Sequence, residues 1–378
     1  MKANFKLLAT DPNCHARAGI FSTEHGTITT PIFMPVGTAA TVKAVHQTEL
    51  KASVKAQIIL GNTYHLYLRP GTEIIGKAGG LHKFMNWDKP ILTDSGGYQV
   101  FSLSANRKIK EEGVVFSSHI DGSKHLFTPA NVVDIQRCLG SDIMMALDEC
   151  PPYPSDRNYV RRSMNITHRW LEAGINHFEK TSSLYGHSQC YVPISQGSVY
   201  EDLRIESIQA ITQYQNPIYA IGGLSVGEPE EELNRLVTIC CQHMPVQSAR
   251  YLMGVGTPQN LLNAIERGID FFDCVLPTRN ARHGILYTTQ GIIHIRNLKW
   301  KDDFSALDEK LDLETSQQHS KAYLRHLIMS QEILGAQLAS LQNLRFYLWL
   351  MEEARNQILT NNFKNWKDQI LPVISTRR

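Results

Sequence analysis

Two carboxylates, each closing an apolar run, have the types and settings to share one reaction. Asp273 lies in FFDCVLPTRNARHG, beside Phe271, Phe272, Val275 and Leu276, and Arg279, Arg282 and His283 follow it. An apolar wall lowers the local dielectric and lets a carboxylate act on an electrophile, while guanidinium groups just beyond it suit phosphate. Asp94 lies in KPILTDSGGYQVFSL, where it ends the apolar pair Ile91 and Leu92 and opens the turn at residues 95–98. Gly96 and Gly97 permit positive φ and close backbone approach, and Tyr98 offers a flat aromatic surface. One acid as nucleophile and another as acid/base is what substitution at a glycosidic carbon requires. Either acid alone also fits a strand-end cap. The pair carries the reading.

Eight short apolar runs ending in Gly, Asp or Asn must position these acids. They are IFMPVG (32–37), AQIILGNTY (56–64), PILTDSG (90–96), IMMALDE (143–149), YVPISQG (191–197), YAIGG (219–223), ARYLMGVG (249–256) and DFFDCVL (270–276). Their near-continuous apolar character marks strands buried on both faces of a parallel sheet. Helical patterns lie between several of them, at 129–140, 228–244 and 257–268. The alternation predicts an α/β fold, a (β/α)8 TIM barrel with insertions, whose acids sit at the C-terminal mouth. Residues 104–128 and 151–162 read as polar insertions over that mouth. Past Gly284 the pattern changes to a hairpin (284–297), a loop (299–309) and helices (320–334 and 338–359). In the last helix Leu338, Leu341, Leu344, Leu348 and Met351 share a face. The expectation is a catalytic barrel over residues 1–284 and a small C-terminal α/β subdomain over 285–378.

Composition narrows the partners. The 378 residues are 42% hydrophobic, and 38 basic against 36 acidic residues leave a net charge of +2. Any nucleic-acid contact must therefore come from a local basic patch. The opening MKANFKLLATDPN lacks a signal peptide's apolar core, and no run approaches the roughly 18 apolar residues of a membrane span. Seven cysteines without paired spacing suit a reducing cytoplasm, with Cys240 and Cys241 expected in a helix core.

The blocks DSGGYQVFSL, MALDECPPYP, SQG, YAIGGLSVGEP, YLMGVGTP and FDCVLPTRNAR, in this order, resemble those of bacterial-type queuine tRNA-ribosyltransferases (tRNA-guanine transglycosylases). The resemblance spans about residues 5–359. It implies exchange of the wobble guanine of GUN-anticodon tRNAs for 7-aminomethyl-7-deazaguanine, in queuosine biosynthesis. Asp273 would attack the ribose anomeric carbon to give a covalent intermediate, and Asp94 would serve as general acid/base. Such a double displacement needs no cofactor. Asp148 can accept both N–H donors of a guanine-like edge, and Gln196 and the Gly197 amide can donate to the base. Gly222 and Gly223 let backbone amides approach, and Tyr98 and Met253 could sandwich the ring. The implied base-binding set is Asp94, Ser95, Gly96, Gly97, Tyr98, Asp148, Gln196, Gly197, Gly223, Leu224 and Met253. For RNA, residues Gly254, Val255, Gly256, Thr257, Pro258, Gln259 and Asn260 offer free amides before a helix N-terminus. The loop Thr278, Arg279, Asn280, Ala281 and Arg282 adds two guanidinium groups. The resemblance assigns both segments to the anticodon loop and implies a homodimer.

The chain departs from that family in one region. A C-x-C-x-x-C motif and a later His, a structural zinc tetrad, would fall on Leu311, Leu313, Ser316 and Gln342, and no cysteine follows Cys274. No bound metal is expected, with His319 and His326 at the surface or in packing. His283 replaces the usual Asn, Ser225 the usual Ala, and Ser195 and Ser198 flank Gln196 where Val and Gly are common. Cys150, Leu224 and Val226 match the bacterial-type pocket, whereas queuine-accepting pockets are widened at the Cys150 and Val226 positions. A queuine-accepting salvage enzyme, a glycoside hydrolase on the same barrel, and a non-catalytic tRNA-binding paralogue stay open as alternatives.

Overall fold

A computed structural model describes residues 2–103 and 107–378. Ser104, at the start of the first expected insertion, lies outside them. Eight parallel staves form the barrel: β1 (Ile32–Gly37), β2 (Ile59–Gly61), β3 (Ile91–Thr93), β4 (Ile143–Met145), a broken stave of β5 (Cys190–Val192) and β6 (Ile194–Ser195), β7 (Ile218–Ile221), β8 (Ala249–Leu252) and β9 (Phe271–Cys274). The sheet order is β5-β4-β3-β2-β1-β9-β8-β7-β6. Its two ends are halves of one stave, interrupted at Pro193, so the sheet closes on itself. All eight apolar runs supply staves, because a strand covered on both faces favours a near-continuous apolar run. Residues from β1 to β9 share one apolar core, with Phe33, Met34, Leu92, Met144, Ile221 and Phe271 fully or almost fully shielded.

The helical layer follows the sequence patterns closely. Helix Pro129–Leu139 starts at Thr128, whose hydroxyl accepts the Asn131 N–H, and ends on Gly140 at φ +71°. Helices Glu230–His243 and Pro258–Glu266 fall within their expected ranges. Residues 151–162, read as an insertion, are in part a helix start. Asp156 accepts the Asn158 and Tyr159 N–H groups and opens the 24-residue helix Arg157–Lys180. Its buried Val160, Met164, Trp170 and Leu171 are spaced for one face, masked in sequence by the charged residues between them. The other insertion forms a three-stranded antiparallel sheet, Lys108–Ile109, Val114–Ser117 and Lys124–Phe127.

At the base of the barrel an N-terminal antiparallel sheet (Asn4–Thr10, Arg17–Thr23, Gly26–Thr30) is held by a buried ion pair. The Arg17 guanidinium meets both Asp270 oxygens, at 3.1 and 3.0 Å. Past Gly284 come the expected hairpin, Ile285–Thr288 with Gly291–His294, and helices Lys321–Met329 and Ile333–Leu359. Leu338, Leu341, Leu344, Leu348 and Met351 are all buried. The helix Ile333–Leu359 packs on β1 and on helix Leu276–Arg282, and so covers the barrel beside β9.

Asn343 on that helix ties the segments together. Its Oδ1 accepts the Tyr287 N–H at 2.8 Å, and its Nδ2 donates to the carbonyls of Pro277 and Ile285, both at 2.9 Å. Asn343→Ala leaves three backbone groups unpaired in a fully buried place, so urea unfolding should show a loss of about 2–4 kcal/mol. A loss under about 0.5 kcal/mol, the size of an ordinary surface effect, would mean the clamp carries little weight.

Candidate active site at the barrel mouth

The two acids meet in one cavity of about 320 Å³, with Asp148 beside them. Asp94 follows β3, Asp148 follows β4 and Asp273 lies in β9, so three staves deliver one carboxylate each. Asn62, Ser95, Tyr98, Gln99, Tyr251 and Arg279 also line the space.

Asp94 is held by amides. Asn62 Nδ2 and Gln99 Nε2 donate to its Oδ2 at 2.5 and 2.9 Å, and the Thr63 N–H donates to Oδ1 at 2.8 Å. Burial raises its pKa to about 6, against those hydrogen bonds and with a smaller push from Asp273. Asp148 accepts from Gln196 Nε2 at 2.7 Å and from the Ser95 hydroxyl at 3.2 Å, and burial raises it to about 6 as well. Asp273 accepts the Tyr251 hydroxyl at 2.6 Å and the Gly254 N–H at 2.9 Å, both on Oδ1. Among the described residues its Oδ2 accepts nothing. Burial raises the Asp273 carboxyl too. A carboxylate fixed through one oxygen, with the other open to the cavity, is a competent nucleophile.

Glycines make this proximity possible. A Cβ on Gly97 would come within 2.6 Å of the Asp148 carbonyl oxygen, and one on Gly223 within 2.2 Å of Gln196 Oε1. The turn after Asp94 therefore packs backbone against backbone, with Gly96 at φ +81°.

Of the residues expected to hold a base, Asp94, Ser95, Gly96, Tyr98, Asp148, Gly223, Leu224 and Met253 line the cavity together. Gly97, Gln196 and Gly197 stand behind that lining. Gln196 spends its Nε2 on Asp148, while its Oε1 is buried without a partner. Sequence reasoning passed over Asn62, Gln99 and Tyr251. Asn62 does follow an apolar run, as the acids do, but Tyr251 reads as an ordinary core tyrosine.

The two expected RNA segments flank the mouth with different geometry. Not all of the amides at 254–260 are free: Gly254 N–H is bound to Asp273, and Asn260 N–H to the Thr257 hydroxyl that caps helix Pro258–Glu266. Val255, Gly256 and Pro258 are buried, and Thr257 and Gln259 are exposed. Residues 278–282 are no loop but part of helix Leu276–Arg282, because Pro277 in its first turn needs no N–H partner. Thr278 and Ala281 are buried and Asn280 is tied to the Tyr287 hydroxyl at 2.7 Å. Arg279 is exposed at the cavity rim, and Arg282 is partly exposed.

Two places bear on metal binding. Leu311 and Leu313 are buried in the apolar core, and the Ser316 hydroxyl donates to Gln342 Oε1, whose Nε2 donates to the Tyr287 carbonyl at 2.8 Å. At the opposite end of the barrel, His25, His82 and His187 form the one group with ligand-like spacing among the described residues. The His25 and His82 rings are stacked, 3.7 Å apart and 16° from parallel. Their in-plane lone pairs run side by side instead of converging. Each ring also spends a nitrogen on oxygen: His25 on Asp142, His82 on the Lys89 carbonyl, His187 on that of Gly140. This is a packed hydrogen-bond cluster.

Comparison with known proteins gives the family. A family model described as "Queuine tRNA-ribosyltransferase" matches residues 11–375. A protein of that name from Thermoanaerobacter is 52% identical over 365 residues, covering 97% of this chain and 96% of its own. One from Aquifex aeolicus is 50% identical over 384 residues, with 99% of each chain covered. One from Listeria innocua is 49% identical over 367 residues, covering 97% and 95%. With its three mouth carboxylates and a match along nearly its whole length, this chain belongs to the queuine tRNA-ribosyltransferase family.

Proposed function

We propose that the protein exchanges the wobble guanine of GUN-anticodon tRNAs for 7-aminomethyl-7-deazaguanine, by double displacement through an Asp273–ribose ester. The chain is a pentosyltransferase, a tRNA-guanine transglycosylase of queuosine biosynthesis. The observation that carries the mechanism is the Oδ2 of Asp273, which has no hydrogen-bond partner among the described residues and lies in a cavity shared with Asp94. Asp273 attacks the anomeric carbon as guanine leaves, and the incoming base then displaces the carboxylate. Asp94, near pKa 6, gives a proton to the departing base and takes one from the incoming base. Asp148 accepts the two edge donors of the bound base.

Support for the aminomethyl base lies in one loop. The Ser225 and Val226 N–H groups both donate to the Glu228 carboxylate. A trans peptide turns the Leu224 carbonyl the other way from the Ser225 N–H, which leaves an acceptor for an ammonium group beside the cavity. Arg279 at the rim supports anticodon-loop binding. Leu298, Phe304 and Ile333, each more than two-thirds exposed in the C-terminal segment, support a homodimer. No helix among the described residues is long and apolar enough to cross a membrane, and the seven unpaired cysteines support a cytoplasmic enzyme. The packed Leu311, Leu313, Ser316 and Gln342 stand in for zinc in joining the hairpin to helix Ile333–Leu359, and two buried leucines contribute about 3–6 kcal/mol.

The direct test is exchange of labelled guanine into a tRNA with a wobble guanine by the purified chain alone; no incorporation would reject the function. Asp94→Asn should slow exchange by about 100-fold or more, since proton transfer is lost. Guanine affinity should follow the ionisation of Asp148. The carboxylate accepts two donors only when ionised, so affinity should be level above about pH 6 and fall by roughly tenfold per pH unit below it. A flat profile from pH 5 to 8 would place the base elsewhere. Exchange should survive EDTA in full. Activity abolished by chelator would overturn the replacement of zinc by packing.

A further inference from the structure

Arg204, on helix Glu201–Ile211, is fully buried and its hydrogen-bond partners are all carbonyls. Its Nε donates to Ser198 O at 2.8 Å, its Nη1 to Gly222 O at 2.7 Å with Ser195 O at 3.4 Å, and its Nη2 to Gly223 O at 2.8 Å. The guanidinium thus bridges the ends of β6 and β7, next to Gln196 and its partner Asp148. Burying a cation among neutral acceptors costs desolvation energy, and the fork geometry of arginine fixes several acceptors at once.

The consequence lies on the far side of those peptides. The cis peptide bonds among the described residues all precede proline, so the 222–223 and 223–224 bonds are trans. In a trans peptide N–H and C=O point in opposite directions. Holding the Gly222 and Gly223 carbonyls therefore turns the Gly223 and Leu224 N–H groups away from Arg204. Gly222, Gly223 and Leu224 line the cavity, so their peptides form part of its wall.

We infer that Arg204 is a specificity-determining positioning residue, which sets this wall of the cavity as a hydrogen-bond donor and so selects a base bearing a 6-oxo acceptor. The inference rests on the base-exchange reading above. Asp148 takes the donors of the base, and the amides oriented by Arg204 take its carbonyl.

The test compares guanine with 6-thioguanine, which keeps both edge donors and replaces only the oxygen by a weakly accepting sulfur. Each competes against labelled guanine for exchange into tRNA, with the wild type, Arg204→Gln and Arg204→Lys. The wild type should prefer guanine by about tenfold or more. Arg204→Gln should weaken guanine by about 10–100-fold while changing 6-thioguanine by less than about threefold, so that the preference collapses. Arg204→Lys, which keeps the charge without the fork, should fall between them, and it decides by the same ratio where circular dichroism shows Arg204→Gln unfolded. Parallel weakening of both bases would overturn the inference alone, leaving Arg204 as a support of the fold. A wild type that exchanges no base would overturn the base-exchange reading with it.

Discussion

Three carboxylates share one small cavity, and their partners there are amides, hydroxyls and backbone N–H groups rather than cations. Keeping acids in such a place is costly unless each finds donors in the right directions. The barrel supplies those directions: parallel staves end at the same level, so the residues just past them converge. Asn62 reaches Asp94 from the neighbouring stave end, Gln196 reaches Asp148, and Tyr251 reaches Asp273 from the adjacent strand. The cavity exists because the staves and their turns hold these donors still.

Burial has chemical consequences that differ between the acids. Asp94 and Asp148 are both pushed to about pKa 6, yet they have different neighbours. Asp94 feels Asp273 across the cavity; Asp148 is backed by Gln196 and a serine and can present its acceptors to a base. Asp273 keeps one oxygen in two hydrogen bonds and the other open. In the proposed mechanism the same desolvation serves a proton-transfer group, a recognition group and a nucleophile, separated by what each can touch.

Much of this was legible in the chain. The eight staves were readable because strands covered on both faces are apolar along most of their length, and the two acids stood out at the ends of such runs. Helix Arg157–Lys180 was hidden by the charges facing solvent between Val160, Met164, Trp170 and Leu171. Residues 278–282 looked like a loop after Pro277, although proline in a first helical turn begins a helix as readily as it ends a strand. Asn62 carried the same run-end signal as the acids, whereas Gln99, Tyr251 and Arg204 could not be found by pattern. Gln99 reaches Asp94 across a local turn, but Asn62, Tyr251 and Arg204 act on residues 18 or more positions away that the barrel brings together. The four positions that would carry a zinc tetrad show the reverse case. Their substitutions were plain in the sequence, but the Ser316–Gln342–Tyr287 chain of hydrogen bonds was not.

The most direct test of the account is to locate the covalent bond. The wild-type protein is incubated with a wobble-guanine tRNA and 9-deazaguanine, the adduct is isolated under denaturing conditions, and its peptides are mapped by mass spectrometry. The account predicts a ribose ester on the peptide that contains Asp273, at the carboxylate whose second oxygen is held by Tyr251 and Gly254, and no adduct from Asp273→Asn. An adduct carried by Asp94, or one that persists in Asp273→Asn, would contradict it.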